Sequence, residues 1–476
     1  MKLRDIELTN PYLKLPELCY DRVEPTPLKK PFLIHANREL AVSLGIDIDE
    51  LESDDFLALI NGELELNNSE TFAMCYAGHQ FGFFVDRLGD GRAINIGTIG
   101  GQHLQLKGAG TTLYSRGGDG RAVLRSSIRE YLMSEAMYGL GIETTRALGI
   151  IGSEHRVYRE DWESGAIVLR VSPSWVRFGT IEYFSHHKKY RELEALVDYV
   201  ITESYPHLID SDERYLKFFM EVVERTAKLI AKWQSVGFNH GVMNTDNMSI
   251  AGVTIDYGPY AFLDDYDFYN ICNHTDRNGR YSFGNQPSVA KWNLKALMDS
   301  LSPMISIEKM ELAIDEYDLI YQDHYISIMS QKLGFNTQRD GDGELIRDLL
   351  GVMQKLSVDY TLFFRTLSRY SGDRDDILKL CSYHKPMSLW LDSYDERVSE
   401  IDQSHKMEKM LSTNPKYTLK NYMLDEAISS ANSGDFSTVD ALFEIAKNPY
   451  DEHEEYERWS NATPSIYKNQ MLSCSS

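Results

Sequence analysis

Lys107 closes the strand-like run HLQLK and is followed at once by GAGTTLYSRGGDGR, a loop dense in glycine. A lysine at a strand tip reaches a phosphate lying beside such a loop, and glycines let backbone N–H groups approach the same anion. The pattern GxxxxGK[ST] is absent, so this is not a Walker A loop. An exposed lysine next to an ordinary loop is the plain alternative. Arg170 lies within the otherwise apolar run GAIVLRVS, and Arg177 follows the next turn. A buried cation requires an anion nearby, either a carboxylate or a ligand phosphate. Farther on, HGVMNTDNMSIAGVTIDYGPYAFLDDYD (240–267) carries Asp246, Asn247 and Asp256. Asn247 offers a neutral oxygen and Asp256 an anionic one. Hard divalent cations such as Mg²⁺ take this pair when phosphates complete the shell. Asp246, beside Asn247, is placed to accept a proton from a hydroxyl. The competing reading is that these Asn, Asp and Gly residues only build turns.

The elements that must hold these groups are legible in part. AINIG (93–97) and HLQLKG (103–108) read as strands joined through Gly100-Gly101, and GAIVLRVS (165–172) as a third. Residues 122–141 read as a helix with Leu124, Ile128, Tyr131 and Leu132 on one face. That helix carries Glu130 and Glu135, and the pattern does not choose between them as a partner for Lys107. After about residue 185 the texture is helical. FFMEVVERTAKLIAKWQSVG (218–237) predicts a long amphipathic helix closed by Gly237, and a loop-rich stretch follows to about 286. Within it, SIAGVTID (249–256) predicts a short hairpin. Further helices are expected near 290–298, 307–329, 344–354, 359–367 and 437–446. GDGR occurs twice, at 89–92 and 118–121. The expected fold class is α+β, with an N-terminal extension and glycine-rich strand lobe (1–184), a helical lobe (185–447) and a tail (448–476). Clefts between two such lobes commonly hold ligands.

Composition narrows the function. The net charge of −23 argues against nucleic acid as the main partner, which demands a basic footprint. No apolar run reaches membrane-spanning length, and Asp5 and Glu7 interrupt any signal-like start. Five scattered cysteines and no CxxC pair exclude a disulfide scaffold and a zinc ribbon. A cytoplasmic protein without membrane or nucleic-acid partners is expected.

A strand lysine held by a helix glutamate is how protein kinases aim lysine at nucleotide phosphates. The order of loop Asn247, hairpin and Asp256-Tyr-Gly also parallels the kinase catalytic-loop Asn and Asp-Phe-Gly. Kinases carry His-Arg-Asp, however, where this chain has His240-Gly241-Val242. Val242 thus stands in place of the usual catalytic Asp, so the chain is either inactive as a kinase or performs a different transfer.

YAGHQFG (76–82), LGDGR (88–92), LQLKGAG (104–110), YSRGGDGRAVLRSSIRE (114–130), VRFGTIEYF (176–184), HGVMNTDNMSI (240–250), IDYGPYAFLD (255–264) and NPYDE (448–452) closely resemble the selenoprotein O family, whose bacterial members include the YdiU proteins. The resemblance covers nearly the whole chain. It implies a protein-kinase-like, two-lobed fold once classed as a pseudokinase. It also implies transfer of AMP from ATP to Ser, Thr or Tyr hydroxyls of proteins, with self-AMPylation left open. By the same resemblance Gly89, Gly91, Arg92, Lys107, Asp119, Gly120, Arg170 and Arg177 would bind ATP, and Glu130 would orient Lys107. Asn247 and Asp256 would hold Mg²⁺ or Mn²⁺, and Asp246 would be the catalytic base. The stretch between Arg92 and Lys107 is shorter than the family leads one to expect, which touches a hairpin and none of these residues. Family members with selenocysteine carry it near the C-terminus, where this chain has Cys474. With Cys272 in the activation-loop position, the resemblance suggests a reversible Cys272–Cys474 disulfide that regulates activity. The alternatives are a protein phosphotransferase, which the missing His-Arg-Asp disfavours, and a non-catalytic nucleotide-binding scaffold.

Overall fold

The computed structural model describes residues 1–473. Its first part is built on antiparallel β-sheet. The strands are β1 (Tyr20–Arg22), β2 (Pro31–Ala36), β3 (Phe72–Met74), β4 (Gly78–Gln80), β5 (Phe83–Val85), β6 (Ala93–Ile99), β7 (Gln102–Lys107), β8 (Ala122–Val123), β9 (Arg146–Tyr158) and β10 (Trp162–Ser172). The main sheet runs β1-β3-β6-β7-β10-β9-β2, with β8 pairing β10; β4 and β5 form a separate hairpin. Gly100 and Gly101, both at positive φ (56° and 79°), turn β6 into β7, as a two-residue hairpin loop requires.

Helices α1 (Arg38–Ser43) and α2 (Asp54–Ile60) lie early in the chain, and α3 (Leu124–Gly139) follows β8. The expected helix over 122–141 therefore starts two residues later, because Ala122 and Val123 are drawn into pairing with Ala166 and Gly165 of β10. After Ser172 helices dominate: α4 (Phe178–His186), α5 (Tyr190–Ser204), α6 (Arg214–Val236), α7 (Gln286–Leu301) and α8 (Ile307–Lys332), then seven more to Lys447 among the described residues. α4 spans the expected division at 184/185. Gly237, at φ 74°, caps α6 in the left-handed conformation that ends many helices.

The hairpin expected over 249–256 does not form. Gly252 N donates to Ser249 O, which makes the turn, but the arms bridge outward: Ser249 pairs with Arg177 and Thr254 with Thr144. Two foreign backbone segments satisfy those amides, so the arms have no need of each other.

Side chains alternate across a strand, and here the alternation divides the sheet by chemistry. Leu104, Leu106, Ile167 and Leu169 face one apolar cluster with α1 and α2. Val168 and Ala166 face the other side, against Ile128, Leu132 and the C-terminal helices. On that second side β7 and β10 also carry Gln105, Lys107 and Arg170. No helix among the described residues is long and apolar enough to cross a membrane.

Candidate active site

The second side of the sheet supplies the cations. Register sets Gln105 of β7 opposite Arg170 of β10, and Arg170 donates to Gln105 Oε1. α3 passes over the same side and brings Glu130 to both. Its Oε2 lies 2.6 Å from Lys107 Nζ, and its Oε1 accepts from Arg170 Nη1 at 2.9 Å. Glu135 instead pairs with Arg146 at 2.6 Å and accepts from Asn37. Of the two glutamates the pattern left open, Glu130 is the one beside Lys107. Burial opposes the charge on Glu130, yet Lys107 and Arg170 outweigh it and hold its carboxyl below the usual range. The same burial pulls Lys107 down, against the help of Glu130.

Asp256 sits where the loop meets these cations. Its Oδ1 accepts from Arg170 Nη1 and its Oδ2 from Arg177 Nη1, both at 2.6 Å, and Lys107 Nζ is 3.7 Å away. Burial would raise its pKa, but Arg177, Arg170 and Lys107 hold it well below the ordinary carboxylate value. Its φ of 56° places it in the left-handed region, which Asp tolerates better than most residues. Each arginine also lies over a ring, Arg170 over Trp175 at 4.3 Å and Arg177 over Tyr76 at 4.5 Å. Stacking suits a guanidinium that must stay buried.

Asp246 is held differently. Arg177 Nη1 donates to its backbone oxygen at 2.7 Å, not to its carboxylate. Among the described residues only Gln80 Nε2, at 3.3 Å, reaches the carboxylate, at Oδ2, and Oδ1 is buried without a partner. Burial pushes this carboxyl up to about 7, a value suited to exchanging protons near neutrality. Asn247 Nδ2 donates to Val242 O at 3.0 Å, which turns Asn247 Oδ1 away from that carbonyl.

Tyr76, Gln80, Lys107, Glu130, Arg170, Arg177, Asp246, Asn247 and Asp256 line one cleft of about 780 Å³, together with Gly89, Gly91, Arg92, Asp119 and Gly120. The two GDGR copies do different work there. Arg92 has no ion pair among the described residues, whereas Arg121 donates to Thr26 O at 2.6 Å. Asp90 is buried and accepts from Met74 N, Asn95 and Gln105. Asp119 accepts from Arg121 N at 2.9 Å and is paired by Arg159 at 2.8 Å. Gly120 is obligatory: at φ 67°, an added Cβ would lie 2.1 Å from the Gly110 carbonyl. Gln80, Tyr76, Asp90, Gln105 and Trp175 were not singled out from sequence. Tyr76 and Gln80 fall within YAGHQFG, and a polar Gln within HLQLK, opposite an Arg within VLRV, was the available signal for Gln105.

No group of three His, Cys, Asp or Glu side chains among the described residues forms a ready-made metal cage. Asn247 Oδ1 and the Asp256 carboxylate are nevertheless hard oxygens in one cleft. They fit Mg²⁺ or Mn²⁺, which take few protein ligands and complete the shell with phosphates and water.

Cys272 is outside the cleft. It is buried, and its Sγ donates to Pro259 O at 2.9 Å; burial pushes the thiol up to about 12. The C-terminal strap lies against it: Leu472 N donates to Cys272 O at 2.8 Å, and His274 N to Leu472 O at 3.0 Å. Cys474 lies outside the described residues.

The family described as Protein adenylyltransferase SelO matches residues 2–447. A protein nucleotidyltransferase YdiU of Myxococcus xanthus is 44% identical over 486 residues, covering 100% of this chain and 99% of that protein. A YdiU protein of Thioalkalivibrio sulfidiphilus is 44% identical over 490 residues, with 100% of each covered. One from Aliivibrio salmonicida is 43% identical over 479 residues, with 99% of each covered.

Proposed function

This chain belongs to the SelO family, and we propose that it is a protein adenylyltransferase that moves AMP from ATP to Ser, Thr or Tyr hydroxyls of proteins and releases pyrophosphate. The observation that carries the reading is the meeting of Lys107–Glu130, Arg170 and Arg177 around Asp256, with Asp246 in the same cleft. We read the strand-rich part and the helical part as the two lobes of a kinase-like fold, and the cytoplasm as the place of action.

In this reading the triphosphate lies against Lys107, Arg92, Arg170 and Arg177. The two buried arginines exchange part of their contact with Asp256 for phosphate oxygens and hold the pyrophosphate as it leaves. Asn247 and Asp256 hold Mg²⁺ or Mn²⁺, which when bound neutralises phosphate charge. The acceptor oxygen bonds to the α-phosphorus, the bond from that phosphorus to the bridging oxygen breaks, and Asp246 takes the hydroxyl proton. Gln80 keeps Asp246 oriented. Gly89, Gly91, Asp119 and Gly120 shape the loops that cover the nucleotide. Val242 leaves the usual kinase base missing, which favours AMP transfer over phosphate transfer.

The test is labelling of proteins in a lysate with α-labelled ATP, with Asp246→Asn as control. The reading expects label that depends on Asp246; no covalent label on any protein would favour a nucleotide-binding scaffold. We also propose the Cys272–Cys474 disulfide as a redox control. The strap beside Cys272 supports it, and the buried Cys272 thiol makes the tail cysteine the natural attacking group. Peptide mapping of oxidised protein should yield the crosslinked pair, and its absence would reject the control.

A further inference from the structure

We propose that a groove beside the catalytic loop is a subsite for a basic side chain, lysine or arginine, of the acceptor protein. Its occupant follows from the transferase reading; its shape and charge do not. The groove, of about 500 Å³, lies between the β4–β5 hairpin, α4 and α7. It is lined by Glu182, whose side chain is 2% exposed. One carboxylate oxygen is occupied: Oε2 accepts from Thr245 Oγ1 at 3.0 Å and lies 3.0 Å from His79 Nδ1. The other, Oε1, is buried and has no hydrogen-bond partner among the described residues. A buried carboxylate oxygen without a donor is costly, so one lining a groove calls for an incoming N–H.

The walls favour a cation over a neutral donor. The His79 ring is 5.3 Å from both Phe84 and Trp292, edge to face. Aromatic faces attract cations, and Trp292 already has the Arg280 guanidinium 4.7 Å from its ring centre. The exposed Lys295 and Asp299 carry opposite signs, and His79 and His186 also line the groove, which leaves Glu182 as its one buried carboxylate among the described residues. A net charge of −23 draws basic partners in the same direction.

The groove is coupled to the reacting group through adjacent residues of β4. His79 N donates to Thr245 Oγ1 at 2.7 Å, and Gln80 Nε2 donates to Asp246 Oδ2 at 3.3 Å. An extended chain rises roughly 3.3 Å per residue. A side chain in the groove therefore belongs to a residue that flanks the modified hydroxyl.

The experiment uses the full chain and short serine peptides that differ in one flanking residue, arginine or its uncharged isostere citrulline. Peptide affinity is measured by fluorescence anisotropy, and AMP transfer from α-labelled ATP by kcat/KM. Arginine should be preferred by about tenfold or more at one flanking position, the size expected for a charged hydrogen bond. Glu182→Gln should collapse that ratio towards one, and Trp292→Ala should reduce it. A wild-type ratio near one at every position overturns the subsite. So does an unchanged ratio in Glu182→Gln, which would leave Glu182 only a support for Thr245. Arginine-dependent binding that Glu182→Gln abolishes, without any transfer, would uphold the subsite and overturn the transferase reading instead.

Discussion

Replacing Asp256 by asparagine should separate the two jobs proposed for one carboxylate, neutralising arginines and holding a metal. It is the anion for two buried guanidiniums, at 2.6 Å each. Arg170 keeps Glu130 when that charge is removed, but among the described residues Arg177 keeps only the Asp246 carbonyl as a hydrogen-bond acceptor, with the Tyr76 ring beneath it. Breaking a buried pair from one side costs about 3–5 kcal/mol. The surviving Glu130 contact and the partial exposure of Asp256 put the expected loss near the lower end, about 3 kcal/mol. For an unfolding unit of ordinary domain size that is a fall in Tm of roughly 6–12 °C. Metal-free ATP brings anions to the same arginines, and in the variant it no longer meets a carboxylate. It should therefore raise the Tm of Asp256→Asn more than that of the wild type, and with Mg²⁺ or Mn²⁺ present the order should reverse. AMP transfer should fall by at least about a hundredfold, as when a group that stabilises developing charge is removed. Differential scanning fluorimetry with and without ATP and metal reads the first effect, and α-labelled ATP the second. A variant that melts with the wild type and gains no extra stability from metal-free ATP would refute the idea that Asp256 neutralises these arginines.

Gly120→Ala forces a Cβ to within 2.1 Å of backbone on the neighbouring loop; calorimetry should find ATP binding weakened by at least about tenfold in a protein that keeps its helical circular dichroism. Glu452, in the NPYDE motif, accepts from Arg365, Arg369 and Lys416 at 2.8, 2.6 and 3.0 Å. Burial opposes its charge, but these cations lower its pKa from 4.5 to about 2. Its stabilising contribution is therefore complete above pH 4.5 and disappears as pH falls towards 2. The Tm gap between wild type and Glu452→Gln should close across that interval, and a gap that ignores pH would contradict the pairing.

The strands and helices that were legible are those whose own pattern is strong. HLQLK alternates cleanly, GAIVLRVS is an apolar run of strand length, Gly100-Gly101 marks the turn, and residues 218–237 carry an unbroken apolar stripe. β9 went unnamed because RALGIIG places glycines inside an apolar run, and only pairing with β2 and β10 settles it. α4 was hidden because FGTIEYFSH is rich in residues that favour other conformations; packing against α5 and α7 overrides that preference. The hairpin at 249–256 failed for a related reason, since partners distant in sequence took its amides. Charged groups were readable as chemistry, yet Glu130 and Glu135 differ only by which way α3 turns them. Gln80 and Tyr76 carry no charge to announce them, and their work is visible only when Asp246 and Arg177 are found beside them.

The most direct measurement gives the purified chain and an acceptor-containing lysate two forms of ATP, one labelled at the α-phosphorus and one at the γ. Protein-bound label should come from the α form alone, with pyrophosphate released in equal amount and both signals lost in Asp246→Asn. Label arriving from the γ form, or a signal indifferent to Asp246, would contradict an aspartate-assisted transfer of AMP.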